Sequence, residues 1–453
     1  MTNILTNIEG EIEKWIKKGM NLLLNGELYD FENWLSEKLN GLYNEIMSAI
    51  LTQIGTSKEF VKKLGKKRCA LGLGKLKRRK VKLQIKTGEY IEFESYYAER
   101  GRNYTYQGCF HLSLVYWHCL KKASPSYYST AGLLSILCPS FDIASQVLEH
   151  LGIKGKYNRI RTLSIFLGKK GNELGASSSL EKGESVEGKR VVVTMDGGRS
   201  RTRQYTGEVN EKGNAKFLTP WKEPKVFVIQ VLTKQGKPDK KFTLPIYGAS
   251  LASIDEIFNK LADTLQQIQI DKAKEIQFIA DGAPCYWNSI RAFFIKLGVS
   301  PKKMTFTLDY YHAVEHLNDL VKLLPMEEED KPKCTKQFMN FLWDGAIYSI
   351  EKRVKKCLKK VEQTITDELK AALNTALNYF IRHTDHMQYY KYKKRKWLCG
   401  SGLMESAIRR IINLRFKGAS SFWLLENLEQ LLLLRCTFLA GRWNIFISNL
   451  VRN

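Results

Sequence analysis

Three short apolar runs that each stop at an aspartate do most to limit what this chain can fold into. Arg190 to Met195 leads into Asp196, Glu275 to Ala280 into Asp281, and Met304 to Leu308 into Asp309. An apolar run of that length, bounded by turn residues, reads as a buried strand. A carboxylate at the end of such a strand sits on a rigid element, with the chain free to turn away beyond it. Asp196 and Asp281 are each followed by glycine. A single Asp-Gly is an ordinary turn; two after buried strands, with a third acid ending the same way, form a pattern.

The surroundings extend it. Val226 to Leu232 and Phe242 to Ile246 read as further strands, and Ser253 to Ile268 as an amphipathic helix with Ile254, Ile257, Phe258, Leu261 and Leu265 on one face. A second helix is expected near Ser289 to Leu297. Three strands, helix, strand, helix, strand is the order of a ribonuclease-H-like α/β sheet whose active edge lies at strand ends. Clustered carboxylates there suit phosphoryl transfer, because Mg²⁺ is a hard ion that takes oxygen ligands, and paired ions about 3.5–4 Å apart clamp the attacking and leaving oxygens.

The charge agrees with a phosphate-bearing partner. Lys and Arg number 72 against 46 Asp and Glu, a net +26. Such an excess predicts polyanion binding, nucleic acid first, since neutralised phosphates release counterions. The basic residues are bunched. Between Lys62 and Lys80, Lys66, Lys67, Arg68, Lys77, Arg78 and Arg79 occur without an acid, and a phosphate-contacting segment is expected in place of a solvated loop. Upstream, apolar residues recur at helical spacing from Ile4 to Leu23 and from Phe31 to Leu42, predicting two helices split near Gly26, each with a buried stripe. Val81, Leu83 and Ile85, the Thr87-Gly88 turn, and Ile91, Phe93 and Ser95 make a β-hairpin. Phe141 to Leu151 and Tyr157 to Leu167, joined by Gly152 to Lys156, have helix–turn–helix spacing. Arg159 and Arg161 on the second helix are read either as major-groove contacts or as part of a plain packed helical hairpin. Residues 169–189, rich in Gly, Ser and charge, read as a linker.

Asp281-Gly-Ala-Pro, the run from Leu308 to Leu317 (LDYYHAVEHL) and that from Gly400 to Ser406 (GSGLMES) resemble bacterial insertion-sequence DDE transposases over roughly residues 80–445. The resemblance implies a DNA transposase with a catalytic triad of Asp196, Asp281 and Glu405 holding two Mg²⁺ or Mn²⁺ ions, with Asp309 and His312 as an accessory Asp-x-x-His pair. It implies a long all-helical insertion between that pair and the Glu. It also implies double-stranded DNA partners (terminal inverted repeats and target), a homodimer or larger assembly, and a bacterial, nucleoid-associated cytoplasmic location. Arg199, Arg409 and Arg410, beside the presumed triad, are expected DNA contacts. Relatives of this type often carry paired cysteines of a zinc module around the hairpin; here only Cys69 and Cys109 flank it.

The expected organisation is a helical region at 1–60, a DNA-binding region at 61–168, the linker at 169–189, the α/β core at 190–317, the helical insertion at 318–398, and core helices with Glu405 at 399–453. Competing readings stand beside it. A helix-start Glu405 is electrostatically favoured without any catalytic role. His312-Ala-Val-Glu315-His316 matches the H-x-x-E-H pattern of zinc peptidases, and a catalytically idle DNA-binding protein would share the fold. Trp423 and Trp443 are read as packing. Nine single cysteines without a C-x-x-C pair argue against a disulfide framework. Glu9, Glu11 and Glu13 argue against a secretory leader, and Glu426, Glu429 and Arg435 against a membrane span over Leu424 to Ala440, so a reduced, non-membrane protein is expected.

Overall fold

A computed structural model of the chain describes residues 2–98, 110–239, 245–360, 365–419 and 421–452, with the side chains of residues 2–9 and Phe110 excepted. The chain is mixed α/β, predominantly helical, and divides into two compact units, Met1–Leu167 with Leu450–Asn453, and Gly168–Asn449.

The first unit begins with helices α1 (Thr2–Leu24), α2 (Leu28–Gly55) and α3 (Lys58–Ala70). Strands β1 (Leu76–Gln84) and β2 (Tyr90–Ala98) pair antiparallel through the Thr87-Gly88 turn, and short β3 (Phe110–His111) extends the ladder. Alternation puts Val81, Leu83, Ile91 and Phe93 on one face, where they close a core with Leu51 of α2 and Leu114 of α4 (Leu112–Tyr116). Helices α5 (Pro125–Leu137), α6 (Phe141–His150) and α7 (Tyr157–Leu174) follow, the first two capped by Ser124 and Ser140.

The second unit is built on β4 (Arg190–Gly197). Short β5 (Ser200–Arg201), β6 (Gln204–Val209), β7 (Ala215–Leu218) and β8 (Trp221–Lys222) precede β9 (Lys225–Leu232) and β10 (Ile246–Ser250). After α8 (Ile254–Gln267) come β11 (Glu275–Ala280), α9 (Pro284–Trp287), α10 (Ile290–Lys296) and β12 (Met304–Leu308). The main sheet has the order β10-β9-β4-β11-β12, with β4, β11 and β12 parallel and β9 antiparallel to both β4 and β10. Val191, Val193 and Met195 face one layer, packed with Ile257, Leu261 and Leu265 of α8 and Phe294 of α10. Val192 and Ile279 face the other, packed with α11 (Tyr310–Leu323). Burial on both faces explains why these strands are apolar without alternation. Behind α11 lie α12 (Lys331–Asp344), α13 (Ile347–Lys360), α14 (Asp367–Arg382) and α15 (Tyr389–Lys394). The chain returns as α16 (Gly402–Ile408), a π-helical turn (Arg409–Asn413), α17 (Leu414–Phe416), α18 (Leu425–Leu439) and α19 (Trp443–Arg452).

Several expectations are corrected. The helices over residues 4–54 form, and Trp15, Phe31, Trp34, Leu35 and Leu42 are half-buried, Trp15 against Trp34 at 6.5 Å, but the rest of the expected stripe is open: Ile12, Ile16, Met20 and Leu23 of α1 and Leu39 of α2 are exposed, as are Tyr43, Ile46, Ile50 and Ile54 further along α2. Periodicity reports an apolar face without saying what covers it. The basic run splits between α3 and β1, and Glu92 and Glu94 of β2 supply the acids missing in sequence, with Arg78 3.8 Å from Glu94 and Lys80 3.5 Å from Glu92. Residues 169–189 are not a linker. Helix α7 continues to Leu174 and a 3₁₀ turn spans Gly175–Ser178, while Leu180 and Val186 enter the sheet core. The glycines there mark close packing: a Cβ at Gly168 would strike the backbone of Gln430, and one at Gly171 the side chains of Leu433 and Phe446. Of the expected strand Phe242 to Ile246, residues 242–244 lie outside the described residues. The observed strand starts at Ile246 and continues through Gly248, where the Phe227 ring occupies the space a side chain would need.

No single helix among the described residues is long and apolar enough to cross a membrane; α18 and α19 pass that test only together, bent by 119°. Seven positions of α18, Arg435 among them, are buried.

Candidate active site

Strand register creates the site. Met195 pairs with Ala280 on the neighbouring parallel strand, and Ala280 with Leu308 on the next. The following residue of each strand is Asp196, Asp281 and Asp309. Adjacent strands lie about 4.8 Å apart, so the three acids emerge side by side at one edge of the sheet.

Each is held differently. Asp196 Oδ1 accepts the Gly197 amide at 2.6 Å, and Asp281 Oδ1 that of Ala283 at 3.1 Å. Asp309, 1% exposed, caps α11: one carboxylate oxygen accepts the Tyr311 amide at 2.9 Å, and the other meets His312 Nδ1 at 3.1 Å and accepts the Ser401 hydroxyl. Burial pushes the Asp196 carboxyl up to about 6; the Gly197 amide and His312 oppose this, while Asp281 and Asp309 reinforce it. Burial acts upward on Asp309 too, but hydrogen bonds from His312, Ser401 and the Tyr311 amide outweigh it and keep that carboxylate below its ordinary value. The same bond to Asp309 lifts His312 to about 9 against its burial, with Asp196 adding to the rise. The edge therefore holds one reluctant carboxylate, one firmly ionised carboxylate and an imidazolium.

The glycines after the acids admit neighbours. A side chain at Gly197 would meet the Glu223 carboxylate, one at Gly198 would meet Ile412 and Ile408, one at Gly282 the Tyr379 ring, and one at Gly400 Tyr311 and Asp309. Gly198 thus lets α16 and the π turn lie against the sheet, where α16 packs on β4 and β9. That helix carries Glu405, exposed in its first turn, and the π turn carries Arg409 and Arg410. π turns recur where a helix is distorted for function.

The donor set suits a hard divalent cation in part. The acids present only oxygen, and Asp196, raised by burial beside two other carboxylates, is a group that a cation would relieve. Among the described residues, however, no three His, Cys, Asp or Glu side chains stand close enough together to hold a metal ion. Asp196, Asp281, Asp309 and His312 form one electrostatic neighbourhood; Glu405 is exposed on α16, which packs on β4 and β9. The H-x-x-E-H arrangement does not assemble a zinc site either: His312 is turned onto Asp309, and His316 packs on the Tyr379 ring at 3.9 Å.

Sequence reading missed several neighbours. Glu223, 2.7 Å from Lys225, abuts Gly197. Tyr379, from the helical insertion, brings to the Asp281-Gly282 bend a buried hydroxyl with no hydrogen-bond partner among the described residues. Trp287 donates its indole N–H to the Asp281 carbonyl and stacks on His386 at 4.5 Å. Only strand register and helix packing reveal these. The exposed cations Lys352, Arg353, Lys356, Lys359 and Lys360 of α13 were legible as a charge run.

The expected DNA contacts differ in availability. Lys66, Lys77, Arg79, Arg161, Arg199 and Arg409 are exposed. Lys67 is half-buried, as is Arg68, which donates to the Gly74 carbonyl at 3.4 Å; Arg79 lies over the Tyr97 ring at 4.5 Å. Two more are half-buried and bonded within the fold: Arg159 to Gln84 Oε1 at 2.8 Å and the Lys121 carbonyl at 2.7 Å, and Arg410 to the Tyr247 hydroxyl at 2.6 Å. Cys109 lies outside the described residues.

No protein-family model matches the sequence, and no curated protein matches it. Among solved structures the chain is similar to one titled Drosophila P element transposase strand transfer complex, at 11% identity and a TM-score of 0.25, over 72% of this chain and 81% of that one.

Proposed function

We propose that this chain is a DNA transposase that cuts and joins DNA strands at the carboxylate edge. One observation carries the reading: acids end three adjacent parallel strands of a sheet ordered β10-β9-β4-β11-β12, in which only β9 runs antiparallel to the rest. Numbered along the sheet's own sequence this is 3-2-1-4-5 with strand 2 reversed, an order that supports the ribonuclease-H-like reading. A helical insertion and a returning helix with an acid beside the first strand accompany it.

Asp196 and Asp281 would hold the divalent ions, with Glu405 completing the ligand set from α16. Such ions supply activation of an attacking oxygen and stabilisation of a leaving oxygen. The chain's own residues do the rest. Strand ends fix Asp196 and Asp281 in place. Asp309 keeps His312 charged, offering a cation to a phosphate, and the exposed Arg199 and Arg409 extend that positive field. Attack of water on a phosphodiester breaks its P–O3′ bond and frees a 3′-hydroxyl. That hydroxyl then attacks a target phosphodiester, forming one P–O bond and releasing a new target 3′-hydroxyl.

The α2 stripe supports the expected self-association. At 1.5 Å per residue the 28-residue helix is roughly 40 Å long, and its exposed Leu39, Tyr43, Ile46, Ile50 and Ile54 offer an apolar face to a second copy.

Strand cleavage and strand transfer with Mg²⁺, on DNA ending in the repeats that flank this gene, test the reading. Asp196→Asn and Asp281→Asn are expected to lower the rate at least roughly a thousandfold while leaving DNA binding intact. The alternative is an idle DNA-binding protein, favoured by the lack of a coordinating cluster among the described residues. It predicts tight binding with no cleavage by the wild type.

A further inference from the structure

Between β4 and β9 the chain leaves the sheet as an arm. β5 pairs with β8 at its base, setting Arg201 opposite Trp221, and β6 pairs with β7 beyond. Every position of β6 is exposed, and so are three of the four in β7. A two-stranded ribbon with neither face buried gains little from a core, so its side chains are arranged for something else.

Trp221 at the base is 48% exposed, and two cations lie over its ring: the Arg201 guanidinium 4.8 Å from the centroid and the Lys417 ammonium at 5.9 Å. Arg203 covers Phe217 in the same way at 4.3 Å. Arg201, Trp221, Lys417, Gly418, Ala419 and Ser421 line an open cavity of about 300 Å³, with no acid among them. Of the arm's acids Glu208, Glu211 and Glu223, the first pairs with Lys216 at 3.2 Å and the last with Lys225 at 2.7 Å, and none lines the cavity.

A half-exposed indole with two cations over its ring and no acid lining the cavity matches one chemistry: a nucleobase that displaces a cation from the ring and stacks there, its phosphate taken by the guanidinium and ammonium. Paired bases inside a duplex are already stacked on both faces and cannot present one. Ser200 lies four residues after Asp196, so the platform's base is within about 13 Å of chain from the acidic edge. Resting on the DNA reading above, we infer that the Arg201–Trp221–Lys417 platform binds an unpaired DNA nucleotide beside the carboxylate edge.

Fluorescence anisotropy in EDTA, where no strand chemistry occurs, tests this on the full chain. Three labelled probes are used: a 12-nucleotide single strand, a duplex with a 3′ overhang, and a blunt duplex. Trp221→Ala and Lys417→Ala are expected to weaken binding of the first two about tenfold, within the range of one lost base stack. Blunt-duplex binding should hold, and Trp221→Phe should retain most single-strand affinity. Unchanged single-strand binding by a Trp221→Ala protein with a wild-type melting curve would overturn the inference, as would equal losses on all three probes. The strand-transfer assay fails separately: a protein that never cuts yet loses single-strand binding in Trp221→Ala keeps the platform and removes the catalytic reading.

Discussion

Asp196 concentrates the energetics of the edge. Burial, helped by Asp281 and Asp309, holds its carboxyl near 6, well above the unfolded value near 4. A carboxyl raised on folding contributes stability that is full below about pH 4 and is lost as pH rises through about 6. Asp196→Asn is therefore expected to raise the melting temperature at pH 7.5 in EDTA, by on the order of 1 kcal/mol of stability, with the gain vanishing near pH 4. Millimolar Mg²⁺ should stabilise the wild type and leave Asp196→Asn unmoved in the same thermal melts; equal shifts in both would remove Asp196 from the ligand set. His312 carries the opposite charge. Its folded value near 9 lies above the unfolded value near 6.5, so the Asp309 ion pair contributes fully below about pH 6.5 and fades as pH rises through about 9. His312→Ala should cost on the order of 1 kcal/mol at pH 6, after solvent screening of the part-exposed ring, and nothing at pH 10. A penalty independent of pH would assign His312 to packing alone.

At the scale of elements, glycines decide which pieces meet. Gly198 seats Ile412 and Ile408, and through them the helix bearing Glu405. Gly198→Val is expected to destabilise the chain by about 1–3 kcal/mol through overpacking and to lower strand transfer by displacing α16; urea melts read the first and the transposition assay the second. Full stability would show that α16 yields without strain. The same logic separates α7 from a linker. Trypsin should spare Lys169 and Lys170, since cleavage in a packed helix requires local opening. Rapid nicking there would restore the flexible reading. Composition misleads in this segment because Gly and Ser serve flexibility and close approach alike, and only the neighbours, here Gln430, Leu433 and Phe446, tell the two apart.

For the whole molecule the +26 charge sets how it would meet DNA under the proposed function. Affinity should fall steeply with salt, log K declining against log salt with a slope of roughly −0.9 per phosphate contacted. Lys352→Glu with Lys356→Glu on α13 should flatten the slope by about two if that face touches DNA. Self-association belongs to this scale as well. Ile46→Glu with Ile50→Glu is expected to convert a dimer to monomer in sedimentation, because two charges in the centre of the α2 stripe cannot be buried unpaired. A wild type that sediments as a monomer at all concentrations would remove the interface.

The sequence alone determined what local chemistry determines. Val191 to Val193 and Ile276 to Ile279 are strands because apolar runs of that length between turn residues have few other stable forms, and Asp196, Asp281 and Asp309 end them. The β-hairpin and helices such as α8 were legible for the same reason, their side-chain periods being set by backbone geometry. Tertiary structure alone decided the rest. Parallel register set the three acids abreast, α16 was seated through Gly198, Glu223 and Tyr379 were drawn to the edge from distant segments, and Trp287 folded back onto the Asp281 carbonyl six residues before it. Arg159 and Arg410 gained partners in Gln84 and Tyr247, while Leu39, Tyr43, Ile46, Ile50 and Ile54 of α2 were left exposed. Periodicity and charge describe what a segment offers, and which surface accepts the offer depends on contacts between residues far apart in the chain.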